Sequence, residues 1–276
     1  MPISAAEFDY VRTLIRDRAG IALEPGKEYL VESRLDPLAR QEGFPTLTHF
    51  LASLRSSPLA SGLHHKVVQA MTTNETSFFR DVRPFEVLKA LVLPELIAQR
   101  SAQRALNFWS AACSTGQEPY SVALVMREAV PALLSTWNFR FIATDISTEV
   151  LARAIQGRYS QLEVNRGLPA TLLVKYFQQE GNEWQIKSDL RRMVEFREIN
   201  LTEPWSTLPP MDIVFMRNVL IYFGIETKKG ILAKVRRLLK PGGFLFLGSS
   251  ETTLNLDDGF EPVPADHTAC YRVRSG

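Results

Sequence analysis

The run Ser110-Ala111-Ala112-Cys113-Ser114-Thr115-Gly116-Gln117-Glu118-Pro119-Tyr120 collects small side chains directly after a short apolar stretch, which lets a bulky ligand approach the backbone closely. Only Gly116 stands where a dinucleotide fingerprint needs three glycines, so a pyrophosphate fits poorly. The run carries an acid instead, Glu118. A carboxylate beside the bound group suits a cationic sulfonium better than a phosphate. A nucleoside joined to an amino-acid arm is therefore the ligand chemistry the loop favours. The competing reading of Glu118, an acid that merely favours the first turn of a helix, stays open on this residue alone.

Three further places carry groups of the right kind. Thr144-Asp145 ends an apolar run and puts a carboxylate where the two hydroxyls of a ribose could be held, although its distance from the first loop exceeds the usual ~20 residues. A solvated aspartate capping the next helix is the alternative. Asn200-Leu201 offers an amide and an apolar neighbour for the edge and face of an adenine. Met216-Arg217-Asn218-Val219-Leu220-Ile221-Tyr222-Phe223 offers Arg217, Asn218 and Tyr222 as ligand contacts, with Val219, Leu220 and Phe223 assigned to the core.

Such residues work only if a scaffold brings them to one place. From Leu106 onward, short apolar runs alternate with longer amphipathic ones, which predicts an α/β fold with a parallel sheet and crossover helices. Strands are expected at Leu106–Ser110, Phe139–Thr144, Val194–Ile199, Ile213–Met216, Phe244–Leu247 and Cys270–Val273. Helices are expected at Pro119–Ala129, Thr148–Gln156 and Glu226–Leu239, the last stopped by Pro241, Gly242 and Gly243. Ligands of such sheets bind beyond the carboxyl ends of the strands, where all four candidate segments fall. Gly157 to Arg192 breaks the alternation and reads as an inserted hairpin subdomain turning at Gly181-Asn182.

The chain opens differently. Ser4 and Glu7 form a capping box, and Phe8, Val11, Leu14 and Ile15 follow at helical spacing until Gly20. Further amphipathic segments at Tyr29–Gln41, Leu47–Leu54 and Leu63–Met71 complete an all-helical module.

The 276 residues are 45% hydrophobic and 22% charged, ample for one large and one small domain. The first residues, Met1 to Tyr10, include acids where a secretion signal is basic and then apolar, and no apolar run is long enough to span a bilayer, so a cytoplasmic location is expected. Cys113 and Cys270 lack the neighbours of a zinc site or a redox dithiol, and no metal is expected. The 32 basic and 30 acidic residues nearly cancel, which argues against a nucleic-acid partner.

The segments Thr72-Thr73-Asn74-Glu75-Thr76-Ser77-Phe78-Phe79-Arg80, Trp109 to Ser121 and Arg217 to Phe223 together resemble the CheR family of chemotaxis receptor methyltransferases, in family order and along nearly the whole chain. The resemblance implies an N-terminal helical domain over 1–71 and a linker carrying cofactor contacts over 72–90. A Rossmann-like class I methyltransferase domain would follow over 91–276, with a small antiparallel β subdomain inserted at about 157–192. It implies transfer of a methyl group from S-adenosylmethionine to glutamate side chains on the cytoplasmic helices of chemoreceptors, giving γ-glutamyl methyl esters and S-adenosylhomocysteine. Cofactor contacts carry over to Asn74, Thr76, Arg80, Ala112, Glu118, Asp145, Asn200, Leu201, Arg217 and Asn218. Arg80 and Tyr222 match the pair nearest the transferred methyl.

The reaction agrees with what the motifs lack. A glutamate, with a pKa of ~4.3, is already an anion at neutral pH and needs no general base. The four histidines, His49, His64, His65 and His267, lie outside every motif. Family members that dock a receptor's C-terminal pentapeptide have a longer loop in the inserted subdomain than the turn at Gly181 to Glu183, so tethering by a tail peptide is not expected here. Arg34 and Arg40 could form a docking face on the second helix, but Glu32, Asp36 and Glu42 accompany them, and an ordinary solvated face is the alternative. A monomer associated with receptor arrays is expected. A class I methyltransferase with another acceptor and a cofactor-binding scaffold of a receptor array are the rival readings. Against base methylation, Arg217-Asn218-Val219-Leu220 stands where amine-modifying enzymes often present an Asn-Pro-Pro-aromatic turn.

Overall fold

The computed structural model describes residues 3–58, 62–265 and 268–274; Met1, Pro2 and His267 lie outside the described residues. Packing divides the chain into two units, one of Met1–Thr73 with Tyr222–Thr227, the other of Asn74–Ile221 with Lys228–Gly276. No described helix is long and apolar enough to cross a membrane.

In the first unit, helix α1 (Ala5–Ala19) begins at the capping box: the Ser4 hydroxyl accepts the Glu7 N–H, and the Glu7 carboxylate accepts the Ser4 N–H. It ends at Gly20, whose φ of 71° lies in the left-handed region. Helices α2 (Glu28–Gln41), α3 (Leu47–Ser56) and α4 (Gly62–Met71) follow. Val11, Ile15, Val31, Leu35, Phe50, Leu54 and Val67 form their common core, the apolar stripes expected from the spacing.

Arg34 of α2 does not stand free on a docking face. Its Nη1 donates to the carbonyls of Met71 (2.6 Å) and Thr72 (3.0 Å), and its Nη2 to the Thr73 hydroxyl (2.8 Å). A guanidinium on the last carbonyls of α4 caps that helix and meets the negative end of its dipole. Arg40, by contrast, is exposed.

The second unit opens with α5 (Arg83–Val87), a π turn (Leu88–Val92) and α6 (Leu93–Gln99). Its sheet contains β1 (Ala105–Ala111), β2 (Asn138–Asp145), β6 (Glu195–Glu198), β7 (Met211–Met216), β8 (Leu239–Leu247), β9 (Phe260–Pro262) and β10 (Cys270–Val273) in the order β6-β2-β1-β7-β8-β10-β9. The first five strands of that order are parallel, and β10 and β9 are antiparallel additions. Crossover helices α7 (Gln117–Ala129), α9 (Thr148–Gln156) and α13 (Ile225–Leu238) account for the alternation read in the sequence. The chain builds outward from β1 through β2 to β6 and then returns to β7 on the other side of β1. Strand order therefore reverses between β1 and β7, and beyond the carboxyl ends of the strands at such a switch point is where open parallel sheets bind ligands.

Two details differ from expectation. Strand β8 starts at Leu239 and runs through Pro241-Gly242-Gly243, because Met211 already pairs with Leu239 and a register shift before Ile213 absorbs the irregular residues. Strand β9 was not anticipated: it is three residues long and ends in Pro262, which is tolerated only at the sheet edge it occupies.

The insertion forms a separate antiparallel sheet of β3 (Arg158–Ser160), β5 (Glu183–Ile186) and β4 (Phe177–Glu180), in the order β3-β5-β4. Only short helices accompany it: α10 (Gln161–Asn165), α11 (Ala170–Tyr176) and α12 (Ser188–Arg191). Glu180 pairs directly with Glu183, so Gly181-Asn182 is the whole connection between β4 and β5.

Candidate active site

The β1–α7 loop is shaped by backbone conformations that its small residues tolerate. Ala112 (φ 54°), Ser114 (φ 50°) and Gly116 (φ 94°) all lie in the left-handed region. A side chain at Gly116 would meet the Ala154 Cβ at 3.0 Å and the Tyr159 hydroxyl at 3.1 Å, so glycine there has a packing reason as well. The Tyr159 hydroxyl donates to the Thr115 carbonyl (2.8 Å), pinning the loop from the inserted subdomain. Four of the eight described non-glycine residues with positive φ lie in the three motif segments, Phe79, Ala112, Ser114 and Asn218, and two more, Asp81 and Val82, follow the first segment directly. Strain of this kind gathers where surrounding contacts over-determine the backbone, as at ligand sites.

The linker reaches this loop. The Ser114 hydroxyl donates to the Asn74 carbonyl (2.8 Å), and the Phe79 N–H donates to the Ser121 hydroxyl (2.9 Å). The Phe78 ring is buried edge-on against Tyr159 and Phe177. Gly167 of the insertion packs so closely on the Phe78 carbonyl that a Cβ would stand 2.1 Å from its oxygen. Arg80 and Asp81 follow this anchor.

Arg217, just past β7, joins the segments electrostatically. Its side chain is fully buried; Nη1 donates to Glu118 Oε2 (2.9 Å), and Nη2 to Asp81 Oδ2 (2.7 Å) and the Arg80 carbonyl (2.9 Å). Ser110 Oγ also donates to Glu118 Oε1 (2.8 Å). Burial raises the Glu118 carboxyl above its ordinary value, opposed by the charge of Arg217, the hydrogen bonds from Ser110 and Arg217, and the charge of Arg80. Glu118 is thus a paired anion in a cluster of two arginines and two acids. Arg217 Nε is buried and donates to no described group, a spare donor inside the cluster. Arg80 Nη1 donates to the Glu75 carbonyl (2.8 Å).

Asp145 ends β2 with its carboxylate buried. Oδ2 accepts the Ser114 N–H (2.9 Å) and Oδ1 the Ser147 N–H (3.0 Å), while burial pushes the carboxyl up against those bonds. A carboxylate accepts at about four lone-pair positions, so Asp145 retains capacity for hydroxyl donors. Asn200 Oδ1 accepts the N–H (3.0 Å) and hydroxyl (2.8 Å) of Thr202, closing a local turn that buries Leu201. Lys234 holds this turn through the carbonyls of Leu201 (2.6 Å) and Glu203 (2.8 Å) and sits 4.4 Å over the Trp205 ring. Trp205 in turn packs on Trp109, whose indole donates to Thr144. Sequence reasoning missed Lys234: nothing near it in the chain marks it as an anchor.

Asn218, with φ 58°, gives its N–H to Glu251 (2.7 Å), a second group that sequence reasoning missed. The four-residue run Gly248-Ser249-Ser250-Glu251 directly after β8 was the available signal. Tyr222 groups with the helical unit, where its carbonyl accepts the Ala22 N–H (2.8 Å) and Ile21 bridges Phe223. Burial pushes the Arg34 guanidinium down, and the neighbouring Tyr222 phenol opposes that shift. Thr76 is half-buried in the linker. His49, His64 and His65 lie in the helical unit, and burial holds the Cys113 thiol well above its ordinary range, so Cys113 offers no thiolate.

The strand ends therefore carry a buried acceptor at Asp145, an apolar turn at Leu201 and, at Arg217, a guanidinium Nε–H with no described partner. That donor and acceptor set fits a nucleoside carrying a charged amino-acid arm.

Comparison with known proteins agrees in both units. Residues 74–269 match the family described as CheR methyltransferase, SAM binding domain, and residues 6–72 match CheR methyltransferase, all-alpha domain. The chain is 43% identical over 277 residues to Chemotaxis protein methyltransferase 1 of Pseudomonas aeruginosa, covering 99% of this chain and 100% of that protein. It is 42% identical over 271 residues to Chemotaxis protein methyltransferase Cher2 of Pseudomonas putida, covering 97% and 98%. It is 37% identical over 276 residues to Chemotaxis protein methyltransferase of Vibrio parahaemolyticus, covering 99% and 98%.

Proposed function

Because the chain belongs to the CheR methyltransferase family, we propose that it methylates glutamate side chains on the cytoplasmic helices of chemoreceptors, as the adaptation enzyme of a chemotaxis pathway. It is an S-adenosylmethionine-dependent methyltransferase. When bound, the cofactor supplies a sulfonium-activated methyl group. The observation that carries the reading is the buried Arg217 cluster, in which one guanidinium ties the end of the linker at Arg80 and Asp81 to Glu118.

Asp145 would accept the ribose hydroxyls, and Asn200 with Leu201 would take the adenine edge and face. Ala112 leaves room along the loop. Glu118, Arg217 and Asn218, with Asn74 and Thr76 of the linker, would receive the amino-acid arm. Arg80 would orient the substrate carboxylate, and Tyr222 would hold cofactor or acceptor. With the cofactor held by these residues, attack by the glutamate oxygen on its methyl carbon would form the O–CH3 bond and leave the electron pair of the broken S–CH3 bond on sulfur, giving a γ-glutamyl methyl ester and S-adenosylhomocysteine. A carboxylate with a pKa of ~4.3 enters already ionised, so no residue must remove a proton and no metal is required. Positioning in line and partial loss of water from the carboxylate supply the acceleration.

The two-residue connection at Gly181-Asn182 supports recognition of receptor helices without a tethered C-terminal pentapeptide. The protein would act as a monomer in the cytoplasm, at receptor arrays. The test is transfer of radiolabelled methyl from S-adenosylmethionine to receptor-enriched membranes, followed by alkali. Label released as volatile methanol is expected; base-stable label would mean N-methylation and overturn the glutamyl ester.

A further inference from the structure

Glu251 has no role in the chemistry above, yet it is a buried carboxylate whose described partners are peptide N–H groups. Its Oε2 accepts the N–H of Asn218 (2.7 Å) and of Gly248 (2.7 Å), and its Oε1 accepts the N–H of Ile221 (3.2 Å). The location explains why. The parallel ladder between β7 and β8 ends at the pair Met216 and Leu247, and past it the two strands diverge into their loops. The donors just beyond the ladder, at Asn218 and Gly248, converge on one carboxylate oxygen. Glu251 thus replaces the missing ladder acceptor with a charge-assisted one.

The neighbouring residues are fitted to this bond. Glu251 donates its own N–H to the Gly248 carbonyl (2.9 Å), closing the turn that swings its side chain back towards β7. A Cβ on Gly248 would stand 2.6 Å from Asn218 Nδ2, 2.8 Å from Glu251 Oε2 and 2.9 Å from the Asn218 N. No other residue type leaves room for the carboxylate and Asn218 together. Asn218 itself sits at φ 58°, in the left-handed region that asparagine adopts more readily than most residues.

We infer that Glu251 is a positioning residue for methyl transfer: with Gly248 it fixes the loop from Asn218 to Ile221, and so sets where the Asn218 side chain meets the cofactor. The inference rests on the proposed cofactor role of Asn218.

The experiment compares the parent with Glu251→Gln, Glu251→Asp and Gly248→Ala. It measures the thermal midpoint, S-adenosylhomocysteine affinity by calorimetry, and kcat and KM for methyl transfer to receptor membranes. Glutamine keeps the size but turns an amide NH2 towards N–H donors. Glu251→Gln is expected to unfold cooperatively while kcat/KM for S-adenosylmethionine and product affinity fall at least tenfold. Glu251→Asp should recover part of the loss, because it restores the charge. Gly248→Ala should reproduce the defect with the carboxylate intact, and it decides the matter if Glu251→Gln does not fold. Affinity and kcat/KM within twofold of the parent in either folded variant would overturn the inference, as would a loss that only tracks the folded fraction. If the parent binds S-adenosylhomocysteine but methylates no receptor glutamate, the proposed acceptor fails instead, and the affinity series alone still decides the role of Glu251.

Discussion

Arg217 and Glu118 form a buried ion pair, 2.9 Å between Nη1 and Oε2, that joins the end of β7 to the first turn of α7. The pair is completed by Asp81 from the linker, so a single arginine closes two acids that lie far apart in sequence. Removing Arg217 leaves Glu118 buried without its compensating charge, whereas Asp81 is exposed to solvent. That asymmetry makes the pair a positioning device, whatever its net contribution to stability.

Arg217→Met is therefore expected to destabilise the protein by about 3–5 kcal/mol, the range for breaking a buried pair from one side. Arg217→Lys should rescue little, because a point-like ammonium cannot span Glu118, Asp81 and the Arg80 carbonyl as the guanidinium does. Denaturant titration of both variants checks this, and a loss under 1 kcal/mol in Arg217→Met would contradict it.

Arg80 differs, because its guanidinium is only half-buried and its one described hydrogen bond is to the Glu75 carbonyl. Arg80→Ala should fold normally, keep S-adenosylhomocysteine affinity within a few-fold and lose at least a hundredfold in kcat, about 2.7 kcal/mol of transition-state stabilisation. Stopped turnover with intact binding is the signature sought. Near-parental kcat would remove Arg80 from its proposed role.

Lys234 makes the stability pH-dependent on the alkaline side. Burial, helped by the charge of Arg237 and opposed by Glu203, pushes its ammonium down to about 8 from 10.5. Between those values the unfolded chain holds a proton that the folded protein has released, so stability from this group rises as pH climbs through the window and is lost again as pH falls through 8. Thermal midpoints of the parent and Lys234→Met from pH 7 to 10.5 test this. The variant should lack that alkaline component; identical profiles would refute it.

Most of the elements were legible in the sequence, because their signals are local. The capping box at Ser4 and Glu7, the stripe from Phe8 to Ile15, the small residues from Ala112 to Gly116 and the apolar runs at Phe139 and Ile213 each act within one or two turns of chain. Each is found in the structure at or within a few residues of its expected bounds. Strand β9 was not legible, since three residues ending in proline form a strand only once β10 is there to pair with them.

Tertiary structure alone decided how those groups are used. Glu118 reads in sequence as a free anion awaiting a cation, and the fold gives it to Arg217, 99 residues away. Arg34 reads as a surface charge, and the fold sets it on the carbonyls that end α4. Glu251 shows in the sequence only as an acid in the small-residue run after β8, and the fold gives it to the N–H of Asn218, 33 residues away. The physical reason is common to all three. A charged side chain is satisfied by whichever donors or acceptors the strand order brings within about 3 Å. That order, which turns back between β1 and β7, is a property of the whole sheet.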